Sequence, residues 1–272
     1  MQTAVQDLTG VERLVRQDRL VPAVALSLLT LLSWGYLVRM AQGMQAASAE
    51  AEMHAAMGMT DLTSWSLTDG VTLFFMWAVM MAGMMLPSAA PVILMVVGTY
   101  RRRGGQQARM CTAAFTGGYL AAWTGFSAFA ALAQMGLHAA ALMAPNMASK
   151  STTLAGGIFL TAGIYQWVPF KNACLSHCRS PLHFLSEQWR EGTTGAFLMG
   201  LRHGMFCVGC CWALMILLFA AGVMNLLWVA AIAVFVLMEK LLPWGLLAGR
   251  VAGALLICWG AYLLVLGISS SG

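Results

Sequence analysis

Seven apolar stretches, each near the length that crosses a bilayer, leave this chain few ways to fold. They fall at about 20–40, 70–98, 109–137, 152–169, 203–223, 226–243 and 250–268. With 60% hydrophobic and 9% charged residues, the composition is that of an integral membrane protein and not of a soluble domain. The runs are continuous, where a membrane barrel would show short alternating strands. A backbone in hydrocarbon must satisfy its own polar groups, which a helix does internally. The expected architecture is all-α: a polytopic transmembrane helical bundle of about seven spans, one membrane domain over residues 1–272.

The net charge of +5 is no argument for nucleic acid, because the basic residues sit in short segments between apolar runs. Arg13, Arg16 and Arg19 precede the first run, and Arg101, Arg102, Arg103 and Arg109 lie between the second and third. Lys171, Arg179 and Arg190 follow the fourth, and Lys240 and Arg250 flank the turn into the last. In a seven-span arrangement these all fall on one side, leaving Arg39 and Lys150 near the other. The positive-inside rule then predicts a cytoplasmic N-terminus in a bacterial inner membrane. The first run with Ala47-Ser48-Ala49 has the outline of a cleavable signal sequence. Its length is that of a spanning helix, however, and the small residues come some ten positions after it ends, so an uncleaved helix is expected.

Twenty-one methionines give this membrane chain its chemical character. Met40, Met44, Met53, Met57 and Met59, with His54 among them, read as one polar outer loop. A polar segment has little packing use for methionine. Thioether sulfur is a soft ligand that selects Cu(I), so Met53, His54, Met57 and Met59 form a candidate capture site. Met76, Met80 and Met84 follow at intervals of four, which stacks them on one helix face over about 12 Å. The stripe fits a relay of Cu(I) between thioethers. It fits equally a helix–helix seam in which Gly83 permits close approach. Pro87 and Pro91 remove helix donors just beyond it, predicting a discontinuity beside the methionines.

Thiols make a third group. The inner loop 170–202 carries Cys174-x-x-His177-Cys178, and the fifth run opens with His203-x-Met205-x-Cys207-x-x-Cys210-Cys211. Cys207, Cys210 and Cys211 share a helix face, so four or five thiols are placed to converge at the cytoplasmic end, with His203 adding nitrogen. Copper is the favoured metal and tetrahedral zinc the alternative at the cysteines. Cys111 and Cys258 read as inert packing residues. Ser180-Pro181 predicts the start of a short interfacial helix, with Phe184, Leu185 and Trp189 on its apolar face and Gly192 at its end. Glu239 and Lys240 are expected to pair with each other or with backbone. Asn225 reads as structural.

The segments MWAVMMAGMMLPSAAP (76–91), YQWVPFKNACLSHCRSP (165–181), GMFCVGCCWALM (204–215), GVMNLLW (222–228) and MEK (238–240) resemble a bacterial family described as predicted metal-binding integral membrane proteins. The likeness covers most of the chain from about residue 70 onward. It implies metal binding, copper handling in particular, and supplies no mechanism. There is also a weaker likeness in chemistry, not fold, to the eukaryotic copper transporters.

The expected function is Cu(I) capture and transfer across or within the membrane, by an importer or by a chaperone that loads a membrane cuproenzyme. No nucleotide motif is visible, and the reading is non-enzymatic. The rivals are an accessory subunit of a larger membrane complex and a thiol oxidoreductase using Cys207, Cys210 and Cys211.

Overall fold

The apolar runs form helices, and prolines and glycines set where several of them end. The structure, a computed structural model, describes residues 20–44, 67–103, 107–140 and 151–269, and its regular elements there are all helical. In chain order they are α1 (Leu20–Met44), α2 (Leu67–Arg102), α3 (Ala108–Ala139), α4 (Thr152–Tyr165), α5 (Pro169–Arg179), α6 (Pro181–Gln188), α7 (Gly192–Met215), α8 (Leu217–Ala221), α9 (Leu226–Leu241) and α10 (Gly245–Ser269). Five helical stretches are long and apolar enough to cross a membrane: α1, α2, α3, α7 continued by α8, and α10. The expected fourth and sixth spans are α4 and α9, of 14 and 16 residues. They reach only about 21 and 24 Å, short of the ~30 Å hydrocarbon core.

Both short helices stop before a proline. Val168 precedes Pro169, and Leu242, extended at φ −88° and ψ 144°, precedes Pro243; the following ring disfavours helical backbone at each. The carbonyls of Leu242 and Pro243 accept bonds from the Arg179 guanidinium at 2.8 and 3.1 Å. Asn225 is structural, as expected: its side chain caps α9 by accepting from Leu227 N at 3.2 Å.

α2 is the central helix, and its methionines from Met76 to Met85 and Trp77 are among the most deeply buried side chains. Pro87 deprives the Gly83 carbonyl of its usual donor four residues on. The indole of Trp34 on α1 donates to that carbonyl instead, at 3.3 Å. Gly83 also admits α1: a Cβ there would lie 2.9 Å from Ser33 Cβ. The closest approach in the bundle is α3 on α7. A Cβ on Gly200 would sit 1.9 Å from the Phe115 carbonyl oxygen, and one on Gly118 2.1 Å from that of Phe197. α1 and α10 are peripheral and expose long apolar faces.

Several expectations are corrected. Met40 and Met44 belong to α1, which continues through Ala41 and Gln42, so the outer loop starts later than the composition implied. The fifth span begins at Gly192, not near 203, because Arg202 and His203 sit within a helix already started. Ser180 and Pro181 do open α6, although the serine hydroxyl makes no capping bond. Gly192 does not end α6; with φ 77° it begins α7. α6 stops earlier, at Trp189, whose ring packs on Tyr100 at 4.5 Å while its indole donates to Glu191 at 2.7 Å. Arg103 pairs with the same carboxylate at 2.9 Å. The bonds from Trp189 and Arg103 hold the Glu191 carboxyl below the usual range. Cys111 is buried as expected, but Cys258 is exposed on α10.

Candidate functional site

Cys207, Cys210 and Cys211 lie on the buried face of α7, three and four residues apart, each almost wholly enclosed. The Cys210 and Cys211 thiols donate back to the Cys207 carbonyl at 3.1 and 2.9 Å. The Cys207 sulfur faces a junction of four helices. Tyr119 Oη of α3 lies 3.1 Å from it, and Lys240 Nζ of α9 donates to it at 2.9 Å. Lys240 also donates to Ser88 Oγ of α2 at 3.0 Å. Ser88 in turn donates to the Met85 carbonyl at 2.9 Å, an oxygen that Tyr119 Oη also reaches at 3.2 Å. The methionine helix and the thiols therefore meet through one polar network just before Pro87.

α5 brings the remaining thiols to this junction. Half-buried Cys178 is close enough to the Cys207 and Cys210 thiols for its interaction with them to push its own thiol well up. Cys174 is raised by burial and by Cys210 nearby. Its sulfur packs against Gly209, where a Cβ would come within 2.9 Å. The Gly209 carbonyl also accepts a bond from Tyr165 Oη. None of the seven cysteines is in a disulfide.

Among the expected ligands, Met76, Met80 and Met84 form a buried ladder on α2, with Met81 and Met85 equally enclosed. Met53, His54, Met57 and Met59 lie outside the described residues. His203 is buried one turn before Cys207, its ring 4.9 Å from that of Phe184 and 5.9 Å from that of Tyr119. Its Nδ1 has no hydrogen-bond partner, a position that costs about 1–3 kcal/mol unless a ligand or donor meets it. Among the described residues, no three His, Cys, Asp or Glu side chains already stand in position to hold a metal ion. The donor set that does converge is thiol sulfur beside a thioether helix, which suits a soft monovalent ion better than one needing four fixed ligands.

Sequence reasoning missed two features. Tyr119 and Ser88 carried no signal beyond their polarity in apolar runs. The expected pairing of Glu239 with Lys240 is wrong, because adjacent helical residues project in different directions. Glu239 instead pairs with Lys171 of α5, which also donates to Gln166. Both ends of this ion pair are fully buried. Gly249 of α10 makes room for it, since a Cβ there would meet Glu239 Oε1 at 2.4 Å.

Fold and site together define an all-helical, strongly apolar chain built around a buried, sulfur-rich centre. Its sequence matches the family model PpoB2, described as a copper chaperone, over residues 74–263, and the chain belongs to that family. The matched region contains the α2 methionines, all five thiols of the junction, Tyr119 and Lys240. The segment 41–69 lies before it. No curated protein and no solved structure matches this chain. A copper-related function is thus the class to which the chain belongs.

Proposed function

We propose that this chain is a copper chaperone of the bacterial inner membrane that carries Cu(I) to the thiols around Cys207. Cys207, Cys178, Cys210 and Cys211 supply thiolate donors, with Cys174 and His203 at the margin of the same centre. Met76, Met80 and Met84 lead towards it along α2, and Met53, His54, Met57 and Met59 serve as an outer capture segment. The observation that carries this reading is the meeting of α5 and α7 thiols at Cys207, joined to the Met85 carbonyl through Tyr119 and Lys240.

Charge balance supports it. Two thiolates around one Cu(I) leave one net negative charge, which is costly in an apolar interior unless paired. The Lys240 ammonium beside Cys207 supplies the compensating charge. Thiolate binds Cu(I) more strongly than thioether, so the ion moves along the ladder towards the thiols without ATP. It is then delivered to a membrane cuproenzyme. The N-terminus lies in the cytoplasm.

The test is copper content by elemental analysis after reductive Cu(I) loading of purified protein. Wild type is expected to retain about one equivalent, and Cys207→Ser/Cys210→Ser/Cys211→Ser less than about a tenth. Equal copper in the two proteins, or none in wild type, overturns the assignment.

A further inference from the structure

α1, α2 and α3 enclose a cleft of about 450 Å³, inside the ~300–1,000 Å³ range of small-molecule sites. None of its lining residues belongs to the thiol centre. Leu26 of α1, Ile93 and Val97 of α2 and Leu120 of α3 form its walls. The two threonines on the α3 wall add no free polarity, because Thr112 donates to the Ala108 carbonyl and Thr116 to that of Thr112. At one end the lining changes character. Arg101, in the last turn of α2, and Arg109, in the first turn of α3, stand there, and among the described residues no acidic side chain lines the cleft.

This is an elongated apolar slot closed by positive charge, and its chemistry selects an amphiphile with an apolar tail and an anionic head. We propose that the cleft binds one anionic phospholipid, its acyl chain between α1, α2 and α3 and its phosphate on Arg109, with Arg101 beside it. The N-terminal turn of α3 adds backbone donors and a favourable dipole end next to that phosphate. A bilayer would provide the ligand, so this inference rests on the membrane location proposed above, but it is independent of copper. The bound lipid would hold peripheral α1 against α2 at the end remote from the Trp34–Gly83 contact.

Native mass spectrometry of the full chain, in micelles holding equal amounts of phosphatidylglycerol and phosphatidylcholine with the same chains, tests this. Wild type should retain one phosphatidylglycerol in preference to phosphatidylcholine. Each arginine near a phosphate is worth about 1 kcal/mol, so Arg109→Gln should reduce that preference about fivefold. Gly117→Leu fills the cleft from a position where a Cβ meets nothing within 4 Å, and it should abolish retention of both lipids. Glycerol phosphate added in excess should not displace the lipid, because it lacks the tail. Equal retention of the two lipids, an unchanged preference in Arg109→Gln, or displacement by glycerol phosphate would overturn the proposal. Cu(I) content of both variants should equal that of wild type. A failure of the lipid site therefore leaves the thiol assignment standing, and failure of the thiols leaves lipid retention unmoved.

Discussion

Lys171 and Lys240 are both buried ammonium groups, yet they meet different partners and should respond oppositely to removal. Lys171 faces the Glu239 carboxylate, so Lys171→Met strands a buried anion and should cost about 3–5 kcal/mol of stability. Lys240 meets a hydroxyl and a thiol, and among the described residues no carboxylate pairs with it. Lys240→Met removes a costly desolvated charge and should leave thermal stability unchanged or raised. The same substitution strips a charged donor from Cys207, a contact worth about 1.5–3 kcal/mol, so Cu(I) affinity should fall about tenfold or more. Thermal unfolding in detergent and Cu(I) competition with a chelator read the two effects separately. A Lys240→Met protein that melts early and keeps its copper would mean that the residue supports the fold and not the site. The sequence marked Lys240 as polar where polarity is expensive, but its partners come from α2 and α7, 152 and 33 residues away, a distance that no local pattern encodes.

The α3–α7 seam is the element on which the thiols depend, because it fixes Tyr119 against Cys207. Gly200 meets backbone and not a flexible side chain: its Cβ would stand 1.9 Å from the Phe115 oxygen. Gly200→Ala must force the helices apart, at a cost of about 3 kcal/mol or more. Gly125→Ala on the same α3, where a Cβ meets nothing within 4 Å, should stabilise by about 0.5–1 kcal/mol through helix propensity. Melting temperatures of the pair check the contrast; a Gly200→Ala protein as stable as wild type would mean that the seam is looser than it looks. Helices of this kind were legible in the sequence, since apolar length alone located seven segments that the structure realises as helices. Their ends were less so. Arg202 and His203 read as the edge of a span, yet α7 runs through them from Gly192: His203 is sheltered between Tyr119 of α3 and Phe184 of α6, and Arg202 lies on the exposed face of the same helix. Cys207, Cys210 and Cys211 on one face followed from spacing. Cys178 joining them depended on how α5 docks, which spacing does not fix.

At the scale of the whole molecule, the basic segments and the ladder lie in sequence along α2. Arg103 pairs with Glu191 at 2.9 Å and Tyr100 Oη donates to the Arg190 carbonyl at 2.7 Å, so the end of α2 and the start of α7 share one face of the bundle. In the topology proposed above that face is cytoplasmic, and the thiol junction beside Ser88 lies nearer to it than Met76 does. Copper arriving from the opposite side would meet the ladder first. Because Met76, Met80 and Met84 are fully buried, the ladder also packs the core, and only a substitution that keeps the packing can separate the two roles. Met80→Leu preserves most of the volume and removes the sulfur, at a stability cost below about 1.5 kcal/mol. In vesicles with Cu(I) supplied to the outer face, Met80→Leu should slow copper delivery to the cysteines at least about tenfold, equivalent to ~1.4 kcal/mol on the step. Copper content after loading in detergent should stay at the wild-type level, because the thiols are untouched. If delivery is equally fast in both proteins, the ladder is a helix seam and the ion reaches Cys207 by another path. If detergent loading falls as well, Met80 is itself a ligand of the resting site, and the thioethers and thiols act as one centre, not as a relay with two ends.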